Sequence, residues 1–272
     1  MITLIIGKQS NLSEYLYKSM SNAVLLSSRE LMLNIDILNV YKDKEINIIF
    51  NNFQSATLLN DSSNFSGYIE QSIGVTASIL DYIKNWKINK VIYTSSSSIY
   101  GKNEYCNEND RVHPISLQAS LKVSNELLIT EYCKSYNIDY TIARIFNMYG
   151  GNDKFSIISK IIYAYKEKKL LNIINNGAGI RDFIHIDDVV YIILELIKTR
   201  NHKIINIGTG FKRSIKDILE FLTYNNFNVN TKNKIRTNEI EVSIADTKKL
   251  STIMDKNFLK VEDYILNEIK SY

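Results

Sequence analysis

The chain has 272 residues, of which 45% are hydrophobic and 23% are charged, and its formal net charge is +4. This composition is ordinary for a globular protein with a sizeable core. The basic residues form no run or stripe, so the sequence predicts no nucleic-acid partner, although a mild basic excess favours the approach of a phosphorylated substrate.

Two cysteines exclude a disulfide framework and a cysteine-based zinc site, and three dispersed histidines predict no metal centre. The first segment, MITLIIGK, is apolar for only a few residues, which is typical of a strand rather than of a signal peptide. No stretch approaches the roughly 18 apolar residues that a membrane helix needs. We therefore expect a cytosolic protein with no membrane partner.

The first half of the chain alternates short apolar runs with amphipathic segments. Strands are predicted at residues 2–6, 23–26, 46–50, 90–95 and 139–145, and helices at 11–20, 66–86 and 115–136. Continuous β-branched runs between helices indicate a parallel sheet that is covered on both faces. The predicted fold class is therefore α/β, with a doubly wound, Rossmann-like parallel sheet.

The second half is less regular. Helices are predicted at residues 156–169, 187–199 and 214–222, and strands at 170–174 and 203–208. We expect an aspartate cap at the start of the 187–199 helix and a Ser214 cap at the start of the last one.

Six motifs follow one another in an order that is typical of one family. They are YTSSSSIYG (93–101), PISLQASLKVSNE (114–126), RIFNMYG (144–150), NNGAGIRDFIHIDDVV (175–190), INIGTG (205–210) and IADTKKL (244–250). With them the chain resembles the extended short-chain dehydrogenase/reductases, which include nucleotide-sugar epimerases, dehydratases and 4-keto reductases. The resemblance implies a dinucleotide-binding domain over residues 1–150 and a smaller, mainly nucleotide-sugar-binding region over 151–272, some elements of which return to the Rossmann core.

The segment GKQSNLS departs from the three glycines that the family places after its first strand. Gly7 is kept, while Ser10 and Ser13 occupy the other two positions. In the family these glycines admit the pyrophosphate and allow close helix packing. Serine takes up room but adds a hydroxyl donor at a helix N-terminus. The alternative is a plain strand-to-helix turn in which Gly7 only meets a conformational need.

The residues after the second strand bear on the choice of cofactor. NAD enzymes of this kind usually carry an acidic residue there, whereas Ser28 and Arg29 suit the 2′-phosphate of NADP. The predicted cofactor is therefore NADP, with NAD as the alternative. Arg29 could equally be a solvated charge at a helix start.

The proton-transfer position is the main departure from the family pattern. The resemblance implies a catalytic tyrosine, a lysine four residues later that also binds the nicotinamide ribose, and a serine that hydrogen-bonds the sugar oxygen. Gln118 stands in place of the tyrosine, while Lys122 and Ser96 are kept. A carboxamide does not titrate, and losing general acid–base catalysis costs about two to four orders of magnitude in rate.

The neighbouring residues separate the possible reactions. Ser97 and Ser98 replace the Asp-Glu pair of the 4,6-dehydratases, so dehydration is not expected, and Ser97 becomes a candidate substrate contact. A C4 epimerase must deprotonate a hydroxyl, whereas a reductase protonates an oxygen that becomes more basic as hydride arrives. We therefore expect a 4-keto-sugar reductase. The alternatives are a catalytically silent member that binds NADP or nucleotide-sugar as a sensor or scaffold, and an epimerase with relocated acid–base groups.

The resemblance implies two further residues that contact the substrate. Asn147 lies at the end of a predicted strand, and Arg181 resembles the diphosphate-binding arginine of the family. The alternative for Arg181 is an ion pair with Asp182, Asp187 or Asp188. The family commonly dimerises through the two helices that flank its fourth strand, so a homodimer is expected.

Overall fold

A parallel sheet forms the centre of the fold in a computed structural model that describes residues 1–51, 64–237 and 239–271. The strands are β1 (Ile2–Ile6), β2 (Ala23–Leu26), β3 (Ile46–Phe50), β4 (Ile88–Ser96), β5 (Tyr105–Cys106), β6 (Asp139–Ile145), β7 (Asn147–Tyr149), β8 (Leu171–Ile174), β9 (Ile180–Arg181), β10 (Phe183–His185), β11 (Ile204–Ile207), β12 (Arg213–Ser214), β13 (Thr231–Lys234) and β14 (Val242–Ala245). The central sheet has six strands in the order β11-β6-β4-β3-β1-β2. β1 pairs in parallel with β2 and β3, and β3 pairs in parallel with β4.

Helices connect these strands. They are α1 (Asn11–Lys18), α2 (Ser28–Leu33), α3 (Phe65–Ile69), α4 (Val75–Tyr82), α5 (Leu117–Ser135), α6 (Ile157–Lys166), α7 (Ile186–Lys198), α8 (Ile215–Tyr224), α9 (Lys248–Ser251) and α10 (Val261–Lys270). All five residues of β3 are buried, as expected for a central strand with helices on both faces. The doubly wound α/β prediction is confirmed. Among the described residues, no helix combines the length and the apolar character needed to cross a membrane.

Two helices differ from their predicted form. The helix expected at 66–86 consists of α3 and α4, with a π-helical turn at Glu70–Gly74 between them. The predicted aspartate cap is wrong, because α7 begins at Ile186 and both aspartates lie inside its first turn. Asp188 instead accepts a hydrogen bond from the backbone N–H of Leu259 at 3.0 Å. The Ser214 cap is confirmed.

The described residues group into two compact units. The first comprises 1–99, 114–144 and 193–205, and its core packs the sheet against α4 and α5. The second comprises 100–113, 145–192 and 206–272, and its core packs α6, α8 and α10 together. The second unit also holds a four-stranded sheet in the order β12-β9-β14-β5.

A buried carboxylate organises part of the second unit. Asp182 has no exposed surface, and its Oδ1 accepts hydrogen bonds from the N–H and the hydroxyl of Thr209 at 2.8 and 2.7 Å. Its Oδ2 accepts from the N–H groups of Gly210 and Ala245 at 2.8 and 3.2 Å. One side chain therefore joins the turn after β11 to strand β14.

Candidate functional site

The turn after β1 has the conformation that its glycine allows. Gly7 has a φ of 115°, which non-glycine residues rarely adopt. Its N–H and that of Lys8 donate to the carbonyl of Leu26 at 2.9 and 3.1 Å. The chain thus turns tightly at the carboxyl end of β1, which is the edge where ligands bind in sheets of this type.

The two serines that replace glycines are held by a single amide. Asn51, just after β3, donates through Nδ2 to Ser10 Oγ at 2.9 Å and to Ser13 Oγ at 2.8 Å. Its Oδ1 accepts from the hydroxyl of Thr94 at 2.6 Å. Ser13 has no exposed surface, whereas Ser10 is half-buried. Ser10 is therefore the more accessible hydroxyl of the pair.

The end of β2 lies at the same edge of the sheet. The Ser27 hydroxyl caps α2 by accepting from the N–H of Glu30 at 3.4 Å. Ser28 is half-buried and Arg29 is exposed in the first turn of this helix. The first turn of α2 thus presents the hydroxyl of Ser28, the guanidinium of Arg29 and the carboxylate of Glu30.

The candidate catalytic residues belong to β4 and α5. Ser96 ends β4, where its hydroxyl accepts from the N–H of Ser98 at 3.2 Å, and Ser97 follows half-buried. Ser116 caps α5 by accepting from the N–H of Ala119 at 3.2 Å. Gln118 lies in the first turn of α5, one turn before Lys122, as the spacing predicts.

Lys122 has surroundings that change its acidity. Its Nζ donates to the carbonyl of Thr94 at 2.8 Å and lies 5.0 Å from the ring centroid of Tyr93. Burial lowers the pKa of Lys122 to about 8, and the nearby carboxylate of Glu126 opposes this shift. Glu126 itself forms a buried ion pair with Arg144, with Oε2 and Nη2 2.8 Å apart. A lysine whose pKa lies near neutral pH can both donate and accept a proton at physiological pH.

The second unit contains a cavity of about 640 Å³. Asn147 and Arg181 both line it, together with residues 172–175, 177–180 and 239–242. The Asn147 amide donates to the carbonyl of Asp182 at 3.0 Å, which fixes its orientation. A cavity of this volume is in the range of small-molecule binding sites.

The ion pair of Arg181 is made with an unexpected partner. Its Nη2 lies 3.0 Å from Oε1 of Glu239, and the two side chains are 18% and 29% exposed. The alternative of a pair with Asp182, Asp187 or Asp188 is wrong. Asp182 accepts from Thr209 and Gly210, Asp187 lies against His185, and Asp188 pairs with Lys256. Gly179 makes room for the guanidinium, since an added Cβ there would lie 2.9 Å from Nη1.

The sequence-predicted residues are thus divided between the two units. Hydrogen bonds connect Ser10 and Ser13, through Asn51 and Thr94, to Lys122 in the first unit. Asn147 and Arg181 share the cavity of the second unit. Sequence reasoning missed Asn51, Thr94 and Glu239. Asn51 and Thr94 are polar residues at the ends of buried strands, and this position was a usable signal for them. No local pattern marks Glu239.

The parallel sheet, the glycine turn after β1, the serine at the end of β4 and the lysine on α5 are features of a Rossmann-type α/β fold. The chain belongs to the NAD-dependent epimerase/dehydratase family, whose model matches residues 12–208.

Similar proteins carry more specific names. Protein CapI of Staphylococcus aureus is 32% identical over 168 residues, which are 60% of this chain and 50% of that protein. A UDP-glucuronate 4-epimerase of Thermodesulfobacterium geofontis is 34% identical over 160 residues, 57% of this chain and 49% of that protein. The matched region thus spans about half the length of these relatives. The UDP-glucuronic acid 4-epimerase of Bacillus cereus, solved with UDP-glucuronic acid and NAD, shares the fold, with a TM-score of 0.87, 23% identity and coverage of 100% of this chain and 99% of that one.

Proposed function

We propose that the protein is an NADP-dependent reductase of a nucleotide-linked 4-keto sugar, in surface-polysaccharide or deoxysugar biosynthesis. The observation that carries the proposal is Gln118 at the proton-transfer position of a helix that keeps Lys122 one turn later. Reduction tolerates this amide better than the oxidation of a hydroxyl does, because only a basic oxygen has to be protonated.

Each residue has a role in the proposed reaction. Ser96 and the amide of Gln118 donate hydrogen bonds that polarise the sugar carbonyl. Lys122 delivers the proton and binds the ribose of the cofactor. The nicotinamide, when bound, supplies hydride transfer. The cofactor would be held by five residues, namely Gly7, Ser10, Ser28, Arg29 and Lys122. Ser13, a sixth predicted contact, has no exposed surface and would act only through its hydrogen bond to Asn51.

The nucleotide-sugar is proposed to bind in the cavity of the second unit. Arg181 offers a planar guanidinium to two phosphate oxygens, Asn147 lines the same cavity, and Ser97 is a further proposed substrate contact. In the structure Glu239 takes the place that an anion would occupy on Arg181. A bound diphosphate must therefore displace or share this carboxylate. The UDP-sugars in the names of the relatives support this class of substrate.

A second candidate is a nucleotide-sugar 4-epimerase in which Lys122 acts as the base. It is favoured by relatives that are named 4-epimerases and by the lowered pKa of Lys122. The two candidates differ in the fate of the cofactor. A reductase consumes NADPH stoichiometrically, whereas an epimerase starts from the oxidised cofactor, which it reduces and then reoxidises within one turnover without net consumption.

The first test measures binding and turnover. NADPH and NADH are titrated while nicotinamide fluorescence is followed. UDP-linked 4-keto sugars are then supplied with the reduced cofactors, and UDP-glucuronic acid is supplied with NADP⁺ and NAD⁺. We expect NADPH to bind and to be consumed with the 4-keto sugar. Failure of both dinucleotides to bind at millimolar concentration contradicts the proposal. C4 inversion of UDP-glucuronic acid in the presence of NADP⁺ or NAD⁺, with no net change in the cofactor, supports the epimerase.

Replacing Gln118 by tyrosine extends this test. Gln118→Tyr is expected to raise turnover by about 10²-fold, because it supplies the missing acid. Wild-type binding without turnover, together with activity in Gln118→Tyr, identifies a silenced member that senses ligand. A fall in an existing activity would show that the glutamine takes part in an altered mechanism.

We also propose a homodimer in which α4 and α5 pair with their counterparts. Leu127 on α5 is 61% exposed and is available to a partner, whereas Leu80 and Ile129 are buried in the core of the first unit. Size-exclusion chromatography with light scattering is expected to report twice the chain mass, and a monomer at micromolar concentration would contradict the proposal.

A further inference from the structure

The side chain of Lys122 ends against two consecutive residues of β4. Its Nζ donates to the backbone carbonyl of Thr94 at 2.8 Å and lies over the aromatic ring of Tyr93, 5.0 Å from the ring centroid. A carbonyl oxygen and the face of an aromatic ring both carry partial negative charge, so both bind an ammonium better than a neutral amine. Two groups of one strand therefore favour the protonated form of this lysine.

The charge of Glu126 also favours the ammonium, from one turn later on α5. This carboxylate is paired with Arg144 of β6, with Oε2 and Nη2 2.8 Å apart, and the guanidinium offsets part of its charge. Burial acts in the opposite direction, because it disfavours the charged lysine. The uncharged ring of Tyr93 thus contributes where the neighbouring carboxylate is already engaged.

Tyr93 is not a substitute for the catalytic tyrosine that the family resemblance implies. It is 1% exposed and belongs to the core of the first unit. Burial and the nearby carboxylate of Glu126 raise the pKa of Tyr93 well above the usual range of a phenol, so its hydroxyl is a poor proton donor. What this side chain offers Lys122 is the electron-rich face of its ring.

We propose that Tyr93 is a positioning residue whose ring, together with the carbonyl of Thr94, holds the Lys122 ammonium beside the end of β4 in its charged form. This role rests on the proposed function, in which Lys122 delivers the proton that Gln118 cannot supply. Tyr93 acts only through the lysine. Without the ring, burial would leave a larger fraction of Lys122 neutral at physiological pH.

The test measures the protonation of Lys122 directly. In protein that carries ¹³C-labelled lysine, the Cε resonance of Lys122 is assigned by its loss in Lys122→Met and gives the midpoint of deprotonation without substrate or cofactor. Tyr93→Leu is expected to lower this midpoint by about 0.5–1 pH unit. The fall of kcat/KM with rising pH, measured with NADPH and a UDP-linked 4-keto sugar, is expected to move by the same amount. Tyr93→Phe keeps the ring and is expected to stay within about 0.3 unit of wild type.

Tyr140→Leu is the matched control. Tyr140 belongs to the same core, is 6% exposed and lies under a different lysine, Lys203, whose Nζ is 4.5 Å from the ring centroid. Its loss is expected to leave the midpoint of Lys122 unchanged. If circular dichroism shows that Tyr93→Leu does not fold, Tyr93→trifluorophenylalanine replaces it. That ring keeps its shape but has a less negative face, so the midpoint is again expected to fall.

An unchanged midpoint in Tyr93→Leu or in Tyr93→trifluorophenylalanine overturns the role of the ring. A raised midpoint in Tyr93→Leu also overturns it, because the ring would then act only by excluding water. The same holds for a shift that Tyr140→Leu reproduces, which would show a general loosening of the core, or that Tyr93→Phe shares in full, which would assign the effect to the hydroxyl. Wild-type protein that turns over no nucleotide-sugar contradicts the proposed function alone, since the NMR midpoint is measured without substrate.

Discussion

Replacement of Lys122 by methionine is expected to lower kcat/KM by about 10²- to 10⁴-fold, the usual loss when an acid–base group is removed. Methionine keeps the length of the side chain but cannot donate to the carbonyl of Thr94 or carry a proton. The steady-state rate of NADPH consumption with a UDP-linked 4-keto sugar measures the loss. Lys134→Met is the control, because Lys134 is 60% exposed on the same helix and is expected to leave the rate unchanged.

The pH dependence of the same rate identifies the direction of proton transfer. Burial lowers the pKa of Lys122 to about 8. A reductase needs the ammonium form as its acid, so kcat/KM is expected to fall as pH rises through about 8. An epimerase needs the neutral amine as its base and consumes no NADPH, so its rate of C4 inversion would instead rise toward this pH. A flat profile between pH 6 and about 9.5 would show that Lys122 transfers no proton in the rate-limiting step.

Replacement of Asp182 by alanine is expected to destabilise the protein by about 3–5 kcal/mol. The carboxylate is fully buried, and its loss leaves the N–H groups of Thr209, Gly210 and Ala245 without their acceptor. Urea denaturation followed by circular dichroism measures the change in the free energy of unfolding.

Two further variants separate the hydrogen bonds from the loss of volume. Asp182→Asn keeps the volume but points an amide NH₂ at backbone donors, so it is expected to cost about 2 kcal/mol or more. Asp187→Ala is expected to stay within about 0.5 kcal/mol of wild type, because that side chain is 67% exposed. An Asp182→Ala variant as stable as Asp187→Ala would show that the carboxylate does not hold the β11 turn to β14.

Much of the fold could be predicted because its signals are local. The strands at 2–6, 23–26, 46–50 and 139–145 were predicted with the bounds that the structure has. Apolar runs and cap residues act over a few positions and are visible in any short window of sequence. The π turn at Glu70–Gly74, inside the helix predicted at 66–86, was not predicted, since nothing in the periodicity distinguishes one extra residue per turn.

The residues of the candidate site could also be predicted only in part. The sequence by itself determined the fold class and the family, because motif order and register are properties of the linear chain. It also predicts that Gln118 occupies the position of the family's catalytic tyrosine. Only the tertiary structure decided that Asn51 holds Ser10 and Ser13, 41 and 38 residues away, and that Glu239 pairs with Arg181 across 58 residues. Such contacts depend on which strand ends meet at a sheet edge and which loop reaches a cavity. They are set by packing of the whole chain, so no short window of sequence contains them.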